Sequence, residues 1–125
     1  MGAPRPIYAH LPLLVNEQRK KLSKRSGDVS LDDYRAKGYP KEAILNFLAL
    51  QGWALDGETE VFSSERFVEA FRLEDVSKGG SIFDADKFLW LAGEYLRAES
   101  VERLAEHCAP FVVAAGQLDE EQLAA

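Results

Sequence analysis

Helix signals recur through most of this sequence, and they constrain its fold more than any other feature. The strongest helix is expected to follow Asp84, a residue type that caps helices, and to run to about Arg97 with apolar residues at helical spacing. Ser30 and Asp33 stand at the spacing of a capping box, and Gly38 is placed to end the helix that they start. The pattern predicts an all-α fold, a small helical bundle.

The other predicted helices are delimited by proline, glycine and serine. Pro40 is well placed as the first residue of a helix with a wide apolar face, and Gly52 ends that helix. Serine caps predict two further helices, and a proline is expected to break or restart the last one. These residues are Ser63 or Ser64, Ser100 and Pro110.

The first 29 residues differ from the rest of the chain. Ile7 to Val15 is strand-like in composition, and Pro12 confines such a strand to a sheet edge or a strand end. The rest of the chain reads as helical, so this strand has no evident partner and its sheet is expected to be missing. We therefore expect residues 1–29 to be extended or mobile. The last residues resemble the first turn of a helix cut short, so we expect a piece of a longer protein.

Charge is divided unevenly along the chain. The net charge is −6, yet residues 1–41 hold nine Lys/Arg against four Asp/Glu, whereas residues 42–125 hold six against seventeen. A contact with a polyanion is therefore expected to be local and to involve the N-terminal third, which argues against a general nucleic-acid coat. No apolar run approaches the roughly 20 residues of a membrane span.

Several residues that often carry chemistry are expected to be structural here. Trp53 and Trp90 lie among apolar residues and are predicted to pack in the core. Cys108, the one cysteine, is predicted to be a small core residue and excludes an internal disulfide. His107 beside it lacks two further ligands at zinc spacing, so no metal site is expected, and His10 is predicted to be a structural residue at a strand end.

The pentapeptide Lys21-Leu22-Ser23-Lys24-Arg25 carries the clearest chemical signal. It lies in a basic run that begins at Arg19, and Ser26-Gly27-Asp28 follows it as a loop exit. Two lysines around a serine in an exposed loop suit a polyphosphate, because lysine is a compact charge with three donors and exposed backbone adds N–H groups. A basic stretch of this length is by itself usually a solvated face, so the surrounding residues carry the argument.

The sequence from His10 to Arg97 resembles the bacterial-type glutamyl-tRNA synthetases. Tyr8 to Asn16 is similar to the last strand of that family's catalytic nucleotide-binding fold, and Lys21 to Arg25 is similar to the second signature of class I synthetases. These blocks and the later ones keep the family's order and near-family spacing. The later blocks are Gly38-Tyr39, Ala43 to Trp53, Phe71 to Lys78, Phe83-Asp84 and Lys87 to Arg97.

The sequence also departs from the family pattern. Gly79-Gly80 stands where small residues or proline are more usual, and Ala92 stands where asparagine is common; neither lies in the signature. The family's first signature, a His-Ile-Gly-His-like motif, is not present, and the only histidines are His10 and His107. The isolated chain is therefore expected not to charge tRNA.

The resemblance implies a reaction and roles for the signature loop, Lys21 to Arg25. The family activates glutamate with ATP, with Mg²⁺ in the parent enzyme, and passes it to tRNA; no cofactor is expected to stay bound to this piece. Lys24 is expected to be catalytic, contacting the leaving pyrophosphate as its charge grows, and Lys21 is expected to assist. Leu22 would seat the adenine side, Ser23 would shape the loop or donate a hydrogen bond, and Arg25 would contact phosphate or anchor the loop.

The resemblance also implies a partner and a division of the chain. Arg35, Lys37 and Lys41 are the expected contacts to the backbone of tRNA(Glu). The parent is expected to be a cytoplasmic monomer with no DNA or membrane partner. The implied parts are residues 1–29, the end of the catalytic fold with the signature loop; residues 30–99, a helical stem-contact domain; and residues 100–125, the start of an anticodon-binding helical region.

The sequence is also compatible with two functions other than that of a ligase fragment. A stand-alone tRNA-binding module acting in trans would show salt-sensitive tRNA affinity from this chain alone. A non-catalytic helical protein-interaction domain would instead bind a protein partner through an exposed apolar patch.

Overall fold

The computed structural model describes residues 4–6, 8–22 and 30–117. Helices dominate these ranges, and the strands are only two residues long, which confirms the predicted all-α class. The elements are β1 (Leu14–Val15), α1 (Leu31–Ala36), α2 (Lys41–Ala49), α3 (Ser64–Ala70), a 3₁₀ helix (Leu73–Asp75), β2 (Ser81–Ile82), α4 (Ala85–Ala98) and α5 (Val101–Ala114).

Side-chain caps start four of the helices where the sequence predicts them. The Ser30 hydroxyl accepts the Asp33 N–H at 3.3 Å, and the Asp33 carboxylate accepts the Ser30 N–H at 2.6 Å, which completes a capping box. Ser63, Asp84 and Ser100 accept a backbone N–H in the same way at the starts of α3, α4 and α5. Each cap stabilises its helix by about 1 kcal/mol because it satisfies a donor that has no partner within the helix.

The main core lies between α2 and α4. Ile44 and Phe47 from α2 meet Phe88 and Leu91 from α4, and the rings of Phe47 and Phe88 stack at a centroid distance of 4.2 Å. Each such side chain contributes about 1.5–3 kcal/mol when it is fully buried, so this contact holds the bundle together. Partly buried aromatic residues close the cluster: Tyr34, Tyr39, Phe83 and Tyr95.

A second aromatic cluster forms around Trp53. The indole ring lies 5.7 Å from Phe62, 5.3 Å from Phe67 and 6.0 Å from Phe71, measured between ring centroids. Trp53 is buried, which confirms its predicted place in the core. The cluster packs α3, and the segment just before it that contains Phe62, against the end of α2.

A buried polar network links α2 to α4 through Asn46. The Asn46 amide donates to the Glu60 carbonyl at 2.9 Å, and its side-chain oxygen accepts the Phe62 N–H at 3.1 Å. The Tyr95 hydroxyl lies 2.8 Å from that oxygen and 2.6 Å from the Phe62 carbonyl. Burial raises the pKa of the Tyr95 phenol, so this hydroxyl stays protonated as a donor at neutral pH.

The N-terminal strand has a partner, contrary to the prediction of an orphan strand. β1 pairs in parallel with β2, with Leu14 opposite Ser81 and Val15 opposite Ile82. No strand was predicted at Ser81 because two residues are too few for a period of two to show. The described residues around β1 are therefore tied to the helical body through β2.

Proline and cysteine account for three further corrections. Pro40 occupies the N-cap position, one residue before α2 begins, and is not the first residue of the helix. Pro110 lies inside a continuous α5 and does not break it, because His107 and Phe111 on either side of it both pack on Gly38. Cys108 is exposed, since it follows His107 and so lies about 100° around the helix from the docked face.

Trp90 is not a core residue. It is 44% exposed, whereas its neighbour Leu91 is fully buried against α2. A helix places consecutive residues about 100° apart, so only one of the two can face the core squarely. Both Trp90 and Leu91 have apolar neighbours in the sequence, so the sequence could not show which of the two faces the core.

The N-terminal stretch also closes one side of an apolar pocket of 380 Å³. Leu11, Pro12 and Leu14 form this side, and Leu48 and Trp53 lie among the residues opposite. Within the described ranges, no helix combines the length and apolarity needed to cross a bilayer.

Candidate functional site

The described chain includes the first two residues of the signature loop, Lys21 and Leu22. Lys21 is exposed, and Leu22 is half-buried. Ser23, Lys24 and Arg25, the other predicted ATP contacts, lie outside the described residues.

A hairpin brings Lys21 back beside β1. Lys21 forms an antiparallel bridge with Val15, and the hydrogen bonds flank this pair: Asn16 N–H donates to the Lys20 carbonyl at 2.8 Å, and Leu22 N–H donates to the Leu14 carbonyl at 3.2 Å. Lys21 and Val15 are thus a non-hydrogen-bonded pair, the arrangement in which opposite side chains lie closest. The start of the signature loop therefore has a defined register against β1.

The register determines which face of this small sheet carries the lysine. Residues directly opposite one another share a face, so Lys21, Val15 and Ile82 lie on one side. Leu14 points to the other side, where it lines the apolar pocket beside Trp53. Lys21 therefore lies on the outer face of the sheet, opposite the pocket, and it is exposed.

The three predicted tRNA contacts lie around the turn between α1 and α2. Arg35 is 3.5 Å from Asp32, and Lys41 is 3.7 Å from Glu42, measured between charged atoms. The Lys37 ammonium lies 5.7 Å from the centre of the Tyr34 ring. All three cations are exposed, and exposed pairs of this kind contribute only about 0–1 kcal/mol, so the cations can exchange these partners for phosphates.

The sequence did not reveal that α5 packs on this same turn. His107 Nε2 donates to the Gly38 carbonyl at 2.9 Å, and the Phe111 ring lies where a Cβ on Gly38 would come within 3.1 Å. His107 and Phe111 are four residues apart and so share one helix face, which was the only available signal. The contact fixes α5 next to the backbone between Lys37 and Lys41.

Gly38→Ala is expected to loosen this contact. Gly38 has φ 83°, and the new methyl group would collide with Phe111, so we expect a loss of about 2 kcal/mol in unfolding free energy and faster amide exchange in α5. Gly57→Ala is the matched control, because Gly57 has φ 87° with open space around it. It should cost only about 1 kcal/mol and leave α5 unchanged. Equal effects of the two substitutions would show that Phe111 does not pack on Gly38.

The other residues considered for chemistry do not form a site. His10 is exposed in the stretch before β1, not at a strand end. Among the residues that the structure describes, no three His, Cys, Asp or Glu side chains gather in a way that could hold a metal ion.

Residues 1–90 match a family model described as "tRNA synthetases class I (E and Q), catalytic domain". The match covers β1, the signature loop and the helices through most of the α2–α4 core. It therefore includes every residue that is expected to contact ATP or tRNA.

Curated relatives agree with this family. The chain is 48% identical over 106 residues to the glutamate–tRNA ligase of Clostridium botulinum, an alignment covering 85% of this chain and 22% of that protein. It is 41% identical over 123 residues to that of Alkaliphilus metalliredigens, covering 98% of this chain and 25% of that protein. The chain thus spans about a quarter of the length of these relatives.

A solved structure gives the same answer for the fold. The glutamate–tRNA synthetase of Elizabethkingia anophelis superposes with a TM-score of 0.79 at 28% identity, covering 98% of this chain and 29% of that one. The chain belongs to the class I tRNA synthetases of the E and Q type, and the relatives that it matches over most of its length are glutamate–tRNA ligases.

Proposed function

We propose that this chain is part of a glutamate–tRNA ligase, called the full-length ligase below, which activates glutamate with ATP and transfers it to tRNA(Glu). The alignment of 85–98% of the chain with such ligases, with the signature loop inside it, carries the proposal. In the full-length ligase this piece supplies the ATP-contacting loop and the tRNA stem contact.

The signature loop acts in the activation step. The glutamate carboxylate attacks the α-phosphorus of ATP, and pyrophosphate leaves with growing negative charge. Lys24 holds an ammonium against this leaving group and so stabilises the transition state more than the bound ATP. Lys21 assists from the base of the loop, Leu22 seats the adenine side, Ser23 shapes the loop or donates a hydrogen bond, and Arg25 contacts phosphate or anchors the loop.

The described start of the loop suits this polyphosphate. Lys21 is exposed on the outer face of the small sheet, and Arg19 and Lys20 beside it are also exposed, so cations are concentrated where the loop begins. Mg²⁺ belongs to the activity of the full-length ligase. It is commonly held by substrate phosphates with one or two carboxylates, so the proposal does not require a metal cage in this piece.

The helical part contacts the tRNA stem. Arg35, Lys37 and Lys41 lie around the α1–α2 turn with their side chains exposed, and their charges suit the sugar–phosphate backbone of RNA rather than a particular base. We assign residues 30–99 to stem contact and residues 1–29 to the end of the catalytic fold. Residues 100–125 then begin the anticodon-binding region, and α5 would relay its position to the α1–α2 turn. The full-length ligase is a cytoplasmic monomer in this proposal.

The proposal is tested by nitrogen–proton correlation spectra of the 125-residue chain titrated with a tRNA(Glu) transcript at two salt concentrations. Saturable, salt-weakened shifts between Lys21 and Lys41 are expected, without any glutamate-dependent pyrophosphate exchange. A stand-alone tRNA-binding module would give the same shifts, so tRNA charging by the full-length ligase separates that function from the proposed one. Exchange by the chain alone would support a stand-alone enzyme instead. An absence of shifts would remove the stem contact and favour a protein-interaction domain.

Lys37→Ala is expected to weaken tRNA binding uniformly across tRNA sequences. One lost phosphate contact reduces the slope of log K against log salt by about 1, because fewer counterions are released on binding. Lys78→Ala removes an equal charge from an exposed site beyond the turn and is the matched control. An equal change of slope in both variants would mean that the chain binds through its overall charge and not through the turn.

A further inference from the structure

The hairpin before the signature loop contains a backbone conformation that its sequence does not favour. Arg19 has φ 57°, and it is the one non-glycine residue with positive φ in the described ranges. Positive φ brings the Cβ of an L-residue close to its own backbone, so glycine is the usual residue in such a position. A position of this kind persists only where surrounding contacts hold it.

The contacts that hold Arg19 are centred on Asn16. Arg19 N–H donates to the Asn16 carbonyl at 2.8 Å, and Asn16 N–H donates to the Lys20 carbonyl at 2.8 Å. Together they close a three-residue loop, in which the third residue takes positive φ and forms a bulge. The Asn16 side-chain oxygen also accepts the Lys20 N–H at 2.9 Å, so this one residue makes three of the turn's hydrogen bonds.

The hairpin is tied to the helical core through β1. Ser81 N–H donates to the Leu13 carbonyl at 3.0 Å, and Phe83 N–H donates to the Val15 carbonyl at 2.8 Å. The Phe83 ring packs edge-on against Phe47 at a centroid distance of 5.0 Å. β1 is therefore the middle strand, with β2 and the core on one edge and the Lys21 segment on the other.

We propose that Asn16 and Arg19 are positioning residues for the activation step. Their turn sets the register of Lys21 against Val15, and hence the place and direction in which the signature loop leaves the sheet. This inference rests on the proposed function, because a loop that does not bind ATP does not need to leave the sheet at a fixed place and in a fixed direction. Neither residue is assigned a contact with substrate.

The test uses the full-length ligase and glutamate-dependent ATP–pyrophosphate exchange, measured with tRNA(Glu) present. Asn16→Ala removes the side-chain bond to Lys20, and we expect kcat to fall about tenfold with an unchanged KM for glutamate and an unchanged melting temperature. Asn16→Asp keeps an acceptor at the same place and should restore kcat to within about twofold of the original protein. Glu17→Ala, in the same turn at a position that accepts most residues, should leave kcat unchanged.

A pair of variants at Arg19 isolates the backbone from the charge. Arg19→Gly and Arg19→Val both remove the guanidinium, but glycine adopts positive φ freely and the β-branched valine does not. We expect kcat of the glycine variant to exceed that of the valine variant by about tenfold. In labelled 125-residue chain, the valine variant should lose the contact between Val15 and Lys21 in nuclear Overhauser spectra, and the glycine variant should keep it.

The outcomes separate this inference from the proposed function. If the unmodified ligase exchanges pyrophosphate and the Asn16→Ala and Arg19→Val variants keep its kcat, the positioning role is wrong although the function stands. If the unmodified ligase shows no glutamate-dependent exchange, the proposed function is wrong and the positioning role fails with it. Loss of kcat without rescue by Asn16→Asp would likewise contradict the role of the turn.

Discussion

Replacing Lys24 with alanine in the full-length ligase is expected to lower kcat for glutamate-dependent ATP–pyrophosphate exchange by about 10²–10³-fold. The proposed contact strengthens as charge develops on the leaving pyrophosphate, so its loss affects the transition state more than the bound substrates. The KM for glutamate should therefore change little. Initial rates of exchange at saturating glutamate, ATP and tRNA(Glu) measure the effect directly.

Two further variants make this result specific. Lys21→Ala should cost less than Lys24→Ala, because Lys21 lies at the base of the loop and is held by the bridge to Val15. Lys78→Ala removes the same charge from an exposed position outside the loop and should have almost no effect. If Lys24→Ala and Lys78→Ala reduce exchange equally, Lys24 has no part in the activation step.

Asn46→Leu is expected to destabilise the 125-residue chain by about 3 kcal/mol. Leucine is similar in size, so the change leaves the surrounding volume filled, but the Phe62 N–H and the Glu60 carbonyl both lose their partner. A buried donor without an acceptor keeps its full cost of leaving water. Urea unfolding followed by far-ultraviolet circular dichroism at pH 7 gives the free energy.

Tyr95→Phe is the control for this network. It removes one hydroxyl and leaves Asn46 bonded to both backbone groups, so we expect a loss of about 1 kcal/mol. The double substitution should cost less than the sum of the two, since both changes break the same contact. Strict additivity, or a cost for Asn46→Leu no greater than that for Tyr95→Phe, would contradict the network. If Asn46→Leu does not fold at all, the Tyr95→Phe value still tests it.

The sequence predicted the parts of this fold that depend on local chemistry. Ser30, Ser63, Asp84 and Ser100 begin helices where predicted, because a short polar side chain next to free N–H groups is a local arrangement. Apolar neighbours in the chain placed Trp53 correctly in the core, but the same signal placed Trp90 there wrongly.

The features that could not be predicted from the sequence depend on contacts between residues far apart in the chain. β2 is two residues long and exists because β1, 67 residues earlier in the chain, offers it an edge. Pro110 stays inside α5 because packing on Gly38 outweighs the local preference of proline to end a helix. Asn46 and Tyr95 look like an ordinary helix residue and an ordinary aromatic until their helices are packed together.

The sequence predicted which residues belong to the candidate site but not how the backbone orients them. Lys21 and the basic residues around the α1–α2 turn are exposed and accessible, as binding to a polyanion requires. The hairpin that orients Lys21 was not predicted. Glycine, asparagine and aspartate indicate positive φ in a sequence, and arginine does not. A family resemblance indicates which residues belong to a site, whereas their orientation comes from backbone geometry.

Charging of tRNA(Glu) by the full-length ligase, with labelled glutamate and labelled glutamine offered in parallel, tests the proposed activity itself. We expect ATP-dependent transfer of glutamate to the tRNA, no transfer of glutamine, and loss of transfer in the Lys24→Ala variant. Transfer of glutamine in place of glutamate, or no transfer of either from a folded protein that binds the tRNA, would contradict it.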